Sequence, residues 1–146
     1  MEDFLTLKRQ LCFAIYETSS EFNKLYANAL QPFGLTYPQY LVLLALWEKD
    51  GLTVKELGEK LDLGTGTLTP MLARMETNGW LQKRRSQTDE RKVHIHLEPK
   101  ALDEKASITS VIVDEIRVCQ IGLDEYEQLM KQLNELHSKL KQRKMN

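Results

Sequence analysis

Two groups of side chains in this 146-residue sequence could do chemistry. The first is the pair of thiols, Cys12 and Cys119. Two cysteines are too few for a disulfide framework or a thiolate zinc site. In a reducing compartment each stays free unless its chemistry is redox. A free cysteine is most often a small buried hydrophobe. Either thiol admits a second reading, as a redox group, if its surroundings favour the thiolate. A thiolate attacks a peroxide O–O bond and becomes a sulfenic acid, with no metal or general base. The second group is made of hydroxyls and bases. Thr65, Thr67 and Thr69 open an expected helix beside Gly64 and Gly66, and Arg74 follows on it. Arg84, Arg85, Arg91 and Lys92 belong to an expected hairpin. Such groups donate to phosphates and base edges, and small residues let backbone approach a groove closely. Gly64-Thr65-Gly66-Thr67 is not a phosphate loop, since no Lys-Ser/Thr follows. His94 and His96 alternate on a strand without a third ligand, so no metal site is expected.

The elements that must position these groups follow from periodicity. Leu5 to Leu30 is expected to be one long helix, ended by Pro32-Phe33-Gly34. Thr36 and Gln39 form a capping box for a helix over 37–49 that is apolar on several sides and therefore central. Thr53 and Glu56 form a second box, opening a short helix through Leu61. After a Gly/Thr-rich turn, another helix runs to about Asn78-Gly79, with Thr65 or Thr67 as its cap. Trp80–Arg85 and Val93–Leu97 read as two strands around the polar turn Ser86–Glu90. Helix, turn, helix and basic hairpin together make a winged helix. An arginine of its wing can enter a narrow minor groove. From Pro99 the chain is expected to be helical to its end. One helix reaches about Ile121, and another is capped at Asp124 and carries Leu129, Leu133, Leu136 and Leu140 at coiled-coil-like spacing.

Composition is compatible with this and adds little. Twenty basic and 21 acidic residues give a net charge of −1, which argues weakly against nucleic acid. The average hides an asymmetry, since residues 80–97 carry five basic and two acidic side chains. Local fields decide what a surface attracts. The acidic start, Met1-Glu2-Asp3-Phe4, lacks a signal-peptide layout, and no apolar run approaches a membrane span. A cytoplasmic protein is expected, of mainly α class with a small β-hairpin, as one domain over 1–146.

The segment Leu63–Glu76 resembles the recognition helix of the MarR family of winged-helix regulators, and Arg85–Arg91 resembles its wing, with Asp89 and Arg91 as the Asp-x-Arg signature. Within that family, Gln10-Leu11-Cys12-Phe13 and Leu35-Thr36-Tyr37-Pro38-Gln39-Tyr40 are similar to the organic hydroperoxide-sensing, OhrR-like repressors. Staphylococcal thiol-based global regulators are close relatives of these. The resemblance covers nearly the whole chain. It implies a homodimer whose helices in 1–35 and 99–146 interlock, with 36–98 binding double-stranded DNA. A dimer binds a pseudo-palindromic operator with half-sites about 10 bp apart. The leucine pattern of the last helix independently asks for a partner.

The resemblance also assigns roles. Cys12 becomes the sensing thiolate, held by the hydroxyls of Tyr26 and Tyr37 from the other subunit. Cys119 is either its resolving partner across the dimer or an inert buried thiol among apolar neighbours. Asp89 is expected to sit between Arg74 and Arg91 and to orient them. The implied function is a redox-sensing repressor that leaves its operator when Cys12 is oxidised by an organic hydroperoxide. The alternative is a regulator released by a small phenolic or aromatic ligand, with Cys12 incidental and Tyr16, Tyr26, Tyr37 and Trp47 around the ligand. A peroxidase enzyme is not expected, because there is no thioredoxin-like βαβ pattern and no Cys-x-x-Cys. No cofactor is implied.

Overall fold

The computed structural model describes residues 2–143. Met1, where the acidic N-terminal motif begins, and residues 144–146 lie outside the described residues. The chain divides into two compact units, Met1–Ile112 and Val113–Asn146.

In the first unit, the expected helix from Leu5 is broken. Two 3-10 turns, Glu2–Leu5 and Leu7–Arg9, precede α1 (Leu11–Leu30). The breaks fall at Thr6 and Gln10, which are both extended. Gln10 closes the turns instead of continuing a helix: its side-chain amide donates to the Phe4 carbonyl and its backbone N–H to that of Leu7. Cys12 is therefore the second residue of α1. A 3-10 turn, Gln31–Phe33, then ends at Gly34 with φ +68, the left-handed conformation that glycine adopts at least cost.

Thr36 and Gln39 form the expected capping box at the start of α2 (Tyr37–Glu48). The Gln39 N–H donates to the Thr36 hydroxyl at 3.3 Å, and the Thr36 N–H to Gln39 Oε1 at 3.1 Å. Tyr40, Val42, Leu43, Ala45 and Leu46 are all buried, so α2 is covered on several sides, as its composition requires. The Trp47 indole N–H ties it to the Ala101 carbonyl at 3.1 Å.

A short strand absent from the sequence reading follows, β1 (Leu52–Thr53). With β2 (Leu81–Arg85) and β3 (Val93–Leu97) it makes an antiparallel sheet in the order β1-β3-β2. Two residues are too few to show alternation. Thr53 also caps α3 (Val54–Leu61), accepting the Glu56 N–H at 3.1 Å. The expected capping box is only half formed: in place of the reciprocal bond from the Thr53 backbone N–H, the Thr53 hydroxyl donates to the Glu56 carboxylate at 3.0 Å.

The turn from α3 to α4 (Thr65–Thr77) requires a glycine. Leu63 donates its N–H to the Gly58 carbonyl at 2.9 Å, and a Cβ on Gly58 would lie 2.8 Å from the Leu63 carbonyl oxygen. That oxygen is backbone and cannot swing aside. Gly58→Ala is expected to destabilise the fold by about 1–3 kcal/mol, seen as a lower thermal midpoint; an unchanged midpoint would contradict this packing.

Gly64, not Thr65 or Thr67, is the cap of α4. Its carbonyl accepts the N–H groups of Thr67 and Leu68 at 3.1 and 3.0 Å, so the threonines fall inside the helix with their hydroxyls uncommitted to capping. Leu68, Leu72 and Met75 form the buried face, and Pro70 is internal. Trp80, Leu81 and Ile95 carry the core into the hairpin. Helices α5 (Pro99–Asp103) and α6 (Lys105–Val118) replace the single expected helix to Ile121. Gln120, at φ +56, turns the chain after α6.

In the second unit, α7 (Leu123–Gln142) is capped by Gly122 rather than Asp124, which instead lies in its first turn with Glu125. No described residue of α7 is buried. Leu129, Leu133 and Leu140 are 43–49% exposed, while Leu136 is half-buried. The coiled-coil-like face thus stands open within one chain.

Candidate nucleic-acid interface and thiol site

Strand register decides which bases meet the α4 threonines. Lys83 lies opposite Ile95 and Arg85 opposite Val93, whereas Gln82 and Arg84 lie opposite His96 and His94. Successive strand residues point to opposite faces. Lys83 and Arg85 therefore share a face, and Arg84 belongs to the other. A cleft of about 680 Å³ follows from this, lined by Thr65 and Thr69 of α4, Lys55 of α3, and Lys83, Arg85, Arg91 and Lys92 of the hairpin. Glu56 and Glu59 line it too, so five bases face two acids. Lys55 and Lys83 were not singled out from sequence. The period of two in the first strand carried the signal for Lys83.

The wing tip is held by its own polar groups. Ser86 Oγ accepts the Asp89 N–H at 3.3 Å, and the Ser86 N–H donates to the Lys92 carbonyl at 2.9 Å. Asp89 Oδ1 accepts the Arg91 N–H at 3.1 Å and stands 3.8 Å from its Nε. The Arg91 side chain is 96% exposed. A pair so open to water contributes little stability; its effect is to shape the tip and point the guanidinium outward. Arg85 braces the same loop through a bond to the Glu90 carbonyl at 3.1 Å. The structure brings Asp89 to Arg91 but not to Arg74, which lines a separate hollow with Gln39, Ala73, Thr77 and Asn78. Thr67 is exposed on α4 outside the cleft.

His94 and His96 are half-buried rather than forming a free polar face. His94 Nδ1 is 3.0 Å from the Gly51 carbonyl, and His96 Nδ1 is 3.9 Å from Asp50 Oδ2. They fasten the turn that enters β1. Among the described residues no group of three or more His, Cys, Asp or Glu could hold a metal ion.

Cys12 is exposed, and its Sγ–H points at Gln10 Oε1 at 4.0 Å. Leu11 and Tyr16 beside it are 61% and 72% exposed. Tyr26 lies 14 residues further along α1, and at 1.5 Å per residue this separates it from Cys12 by about 21 Å. Tyr26 stacks on Tyr37 and Tyr40, with ring centroids at 4.6 and 5.6 Å. Tyr37 is therefore at the same far end. Within one protomer neither phenol can reach the thiol. Trp47 joins this cluster edge-on to Tyr40, while Tyr16 stands apart beside Phe13, so these aromatics do not enclose one pocket. In the second unit Cys119 is also exposed, with Sγ 3.6 Å from the Glu115 carbonyl. It is not buried among its apolar neighbours.

No helix among the described residues is long and apolar enough to cross a membrane. A family model described as transcriptional regulator SarA/Rot matches residues 24–108. The organic hydroperoxide resistance transcriptional regulator of Bacillus subtilis (strain 168) is 53% identical over 95 residues, which are 65% of each protein, so the chain spans just under two thirds of that relative. The HTH-type transcriptional regulator TtmR of Methylorubrum extorquens (strain PA1) is 41% identical over 142 residues, 94% of this chain and 73% of that one. Among solved structures, reduced AbfR bound to DNA superposes with a TM-score of 0.83 at 37% identity, covering 92% of both chains. Disulfide-formed AbfR gives 0.68 at 37% identity, covering 96% and 93%. AbfR comes from Staphylococcus epidermidis.

Proposed function

Because the chain belongs to the SarA/Rot family of transcriptional regulators, we propose that it is a homodimeric repressor that binds a pseudo-palindromic operator while Cys12 is reduced. It releases the operator when an organic hydroperoxide oxidises that thiol. One observation carries the proposal: an exposed thiol at the second position of α1, where the helix start favours the thiolate. The basic cleft beside α4 supplies the DNA-facing chemistry. Its bases neutralise phosphates, and Thr65 and Thr69 present short donors at the start of the helix.

The switch is stoichiometric rather than catalytic. The Cys12 thiolate attacks the distal peroxide oxygen, the O–O bond breaks, and an alkoxide leaves to take a proton as the alcohol. Cys12 is then a sulfenic acid. A second thiolate displaces its hydroxyl as water and closes a disulfide. The partner subunit is needed twice. It supplies the phenols that Cys12 cannot meet in its own chain, and it covers the open leucines of α7. Such a disulfide requires Cα atoms within about 7 Å, so closing it moves helices and changes the separation of the two wings. This chemistry belongs in the cytoplasm, where the thiols stay reduced between signals.

The test is operator binding by the full-length reduced protein, before and after one equivalent of cumene hydroperoxide. Loss of binding that dithiothreitol restores is expected. Binding that survives oxidant but is abolished by a phenol would establish the small-ligand alternative. Oxidised wild type is further expected to run as a covalent dimer on non-reducing electrophoresis, and Cys119→Ser as a monomer. A monomeric wild-type band would remove Cys119 from the switch and leave small thiols to resolve Cys12.

A further inference from the structure

Among the described residues, Gln39 is the only buried one that is neither apolar nor aromatic, at 6% exposure. Its carboxamide is half used. The oxygen accepts the Thr36 N–H at 3.1 Å. A backbone N–H can only donate, so this bond fixes which end of the amide is which. The NH2 end has no acceptor among the described residues. Among the same residues, no side-chain N or O that is shut off from solvent lacks a partner. The Gln39 NH2 must therefore reach open space. The open space that Gln39 lines is a hollow of about 270 Å³, shared with Ala73, Arg74, Thr77 and Asn78.

The charge in this hollow has one sign. Arg74 brings a guanidinium with no ion-pair partner among the described residues. No acid lines the hollow. Glu76, the acid nearest to Arg74 in sequence, is bound elsewhere: its carboxylate accepts the Lys83 N–H at 2.7 Å, at the stem of the hairpin. The Thr77 hydroxyl donates to the Ala73 carbonyl at 3.0 Å, so its donor is already committed. The donors left over are a forked cation and a fixed amide. That pair suits an oxyanion, and a phosphate best of all, because a guanidinium can grip two of its oxygens.

The place of the hollow says where such a phosphate comes from. At about 100° per residue, Ala73, Arg74 and Thr77 lie on the flank of α4 turned away from Thr65 and Thr69, which line the basic cleft. A helix with its side chains is about 10–12 Å across, and the major groove of B-DNA is about 12 Å wide. A helix in that groove therefore has a sugar–phosphate backbone on each side. The basic cleft serves one side, and the Arg74 hollow lies toward the other. Resting on the reading that α4 enters the operator, we propose that this hollow seats one backbone phosphodiester of each half-site, held by the Arg74 guanidinium and the Gln39 NH2. The contact carries no base readout; it fixes the register and turn of α4 in the groove. The capping bond to Thr36 holds the Gln39 amide in place beforehand, so little side-chain freedom is lost on contact.

Gln39→Glu separates this role from capping. A glutamate at the same place still accepts the Thr36 N–H and keeps the capping box, but it puts a negative oxygen where the NH2 stood. The probe is a duplex selected from random DNA by the full-length reduced protein, with one phosphate at a time replaced by a neutral methylphosphonate. Wild type is expected to lose about tenfold in affinity at one phosphate of each half-site, as for a hydrogen bond to a charged group. At that phosphate the replacement should cost Arg74→Ala little. Gln39→Glu, at the wild-type thermal midpoint, should bind the neutral duplex better than the native one, a reversal of sign. Equal losses in all three proteins at every phosphate would overturn the seat while leaving DNA binding intact. Inorganic phosphate, added at constant ionic strength, is expected to leave operator binding unchanged. Competition by it in wild type but not in Gln39→Glu would assign the hollow to a free anion and overturn the backbone contact. A protein that selects no sequence at all would instead overturn the DNA-binding proposal beneath it.

Discussion

Cys12→Ser is expected to bind operator DNA as reduced wild type does, within about twofold, as for an exposed substitution away from the interface, and to keep that binding at hydroperoxide concentrations that fully release wild type. The first half follows from position. Cys12 is exposed at the start of α1, and its one described contact is a 4.0 Å approach to Gln10. A serine hydroxyl fills the same space and removes no core contact. The second half follows from chemistry, since only a thiolate attacks a peroxide at a useful rate near neutral pH. Because the switch has two states, a side chain that cannot be oxidised leaves the population in the DNA-bound one. The measurement is fluorescence anisotropy of a labelled operator across a hydroperoxide titration. Release of Cys12→Ser at the wild-type midpoint would sink the sensing role. Loss of binding before any oxidant is added would show instead that the thiol is structural.

What could be read from the sequence divides along a physical line. Signals carried by neighbouring residues were legible. Thr36 and Gln39 announced their capping box, and His94 and His96 between Val93, Ile95 and Leu97 announced β3. Signals that depend on pairing across the chain were not. β1 exists only because Leu52 and Thr53 lie against Ile95 and His94, and two residues have no period of their own. The cap of α4 was misassigned for a related reason. Threonine and glycine are nearly equal caps by propensity, so residue type could not choose between them; the Gly58–Leu63 closure fixes where the turn ends, and the helix begins at the residue after Gly64. The same limit governed the site. Counting charges found the basic hairpin but treated Arg84 and Arg85 alike, whereas strand pairing sends them to opposite faces and brings Lys83 and Lys55 to the cleft. Cys12 and Tyr26, which the family resemblance pairs, are about 21 Å apart on one helix and do not meet within one chain.

That division between faces gives the second large expected effect. Arg91→Ala should weaken operator binding by about 1–3 kcal/mol, roughly 5- to 150-fold, and lower the dependence of log affinity on log salt by about one. Its guanidinium is 96% exposed at the wing tip, and Asp89 holds its backbone through a bond of 3.1 Å. An arginine presented in this way is available to the negative potential of a narrow minor groove. The acid beside it reduces the local positive charge, so Asp89→Ala separates two effects. If Asp89 chiefly shapes the tip, its loss weakens binding although a negative charge has been removed from a DNA-facing surface; if charge dominates, binding strengthens. The geometry favours the first outcome, because the carboxylate bonds to a backbone N–H and not only to the guanidinium. Arg84→Ala is the control. It removes the same charge from the same hairpin on the face opposite the cleft, beside His94. It should shift affinity by no more than about half a kcal/mol, the usual range for a surface change away from a contact. Equal losses for Arg84→Ala and Arg91→Ala would mean that the wing acts through net charge alone, and that strand register does not select which bases meet DNA.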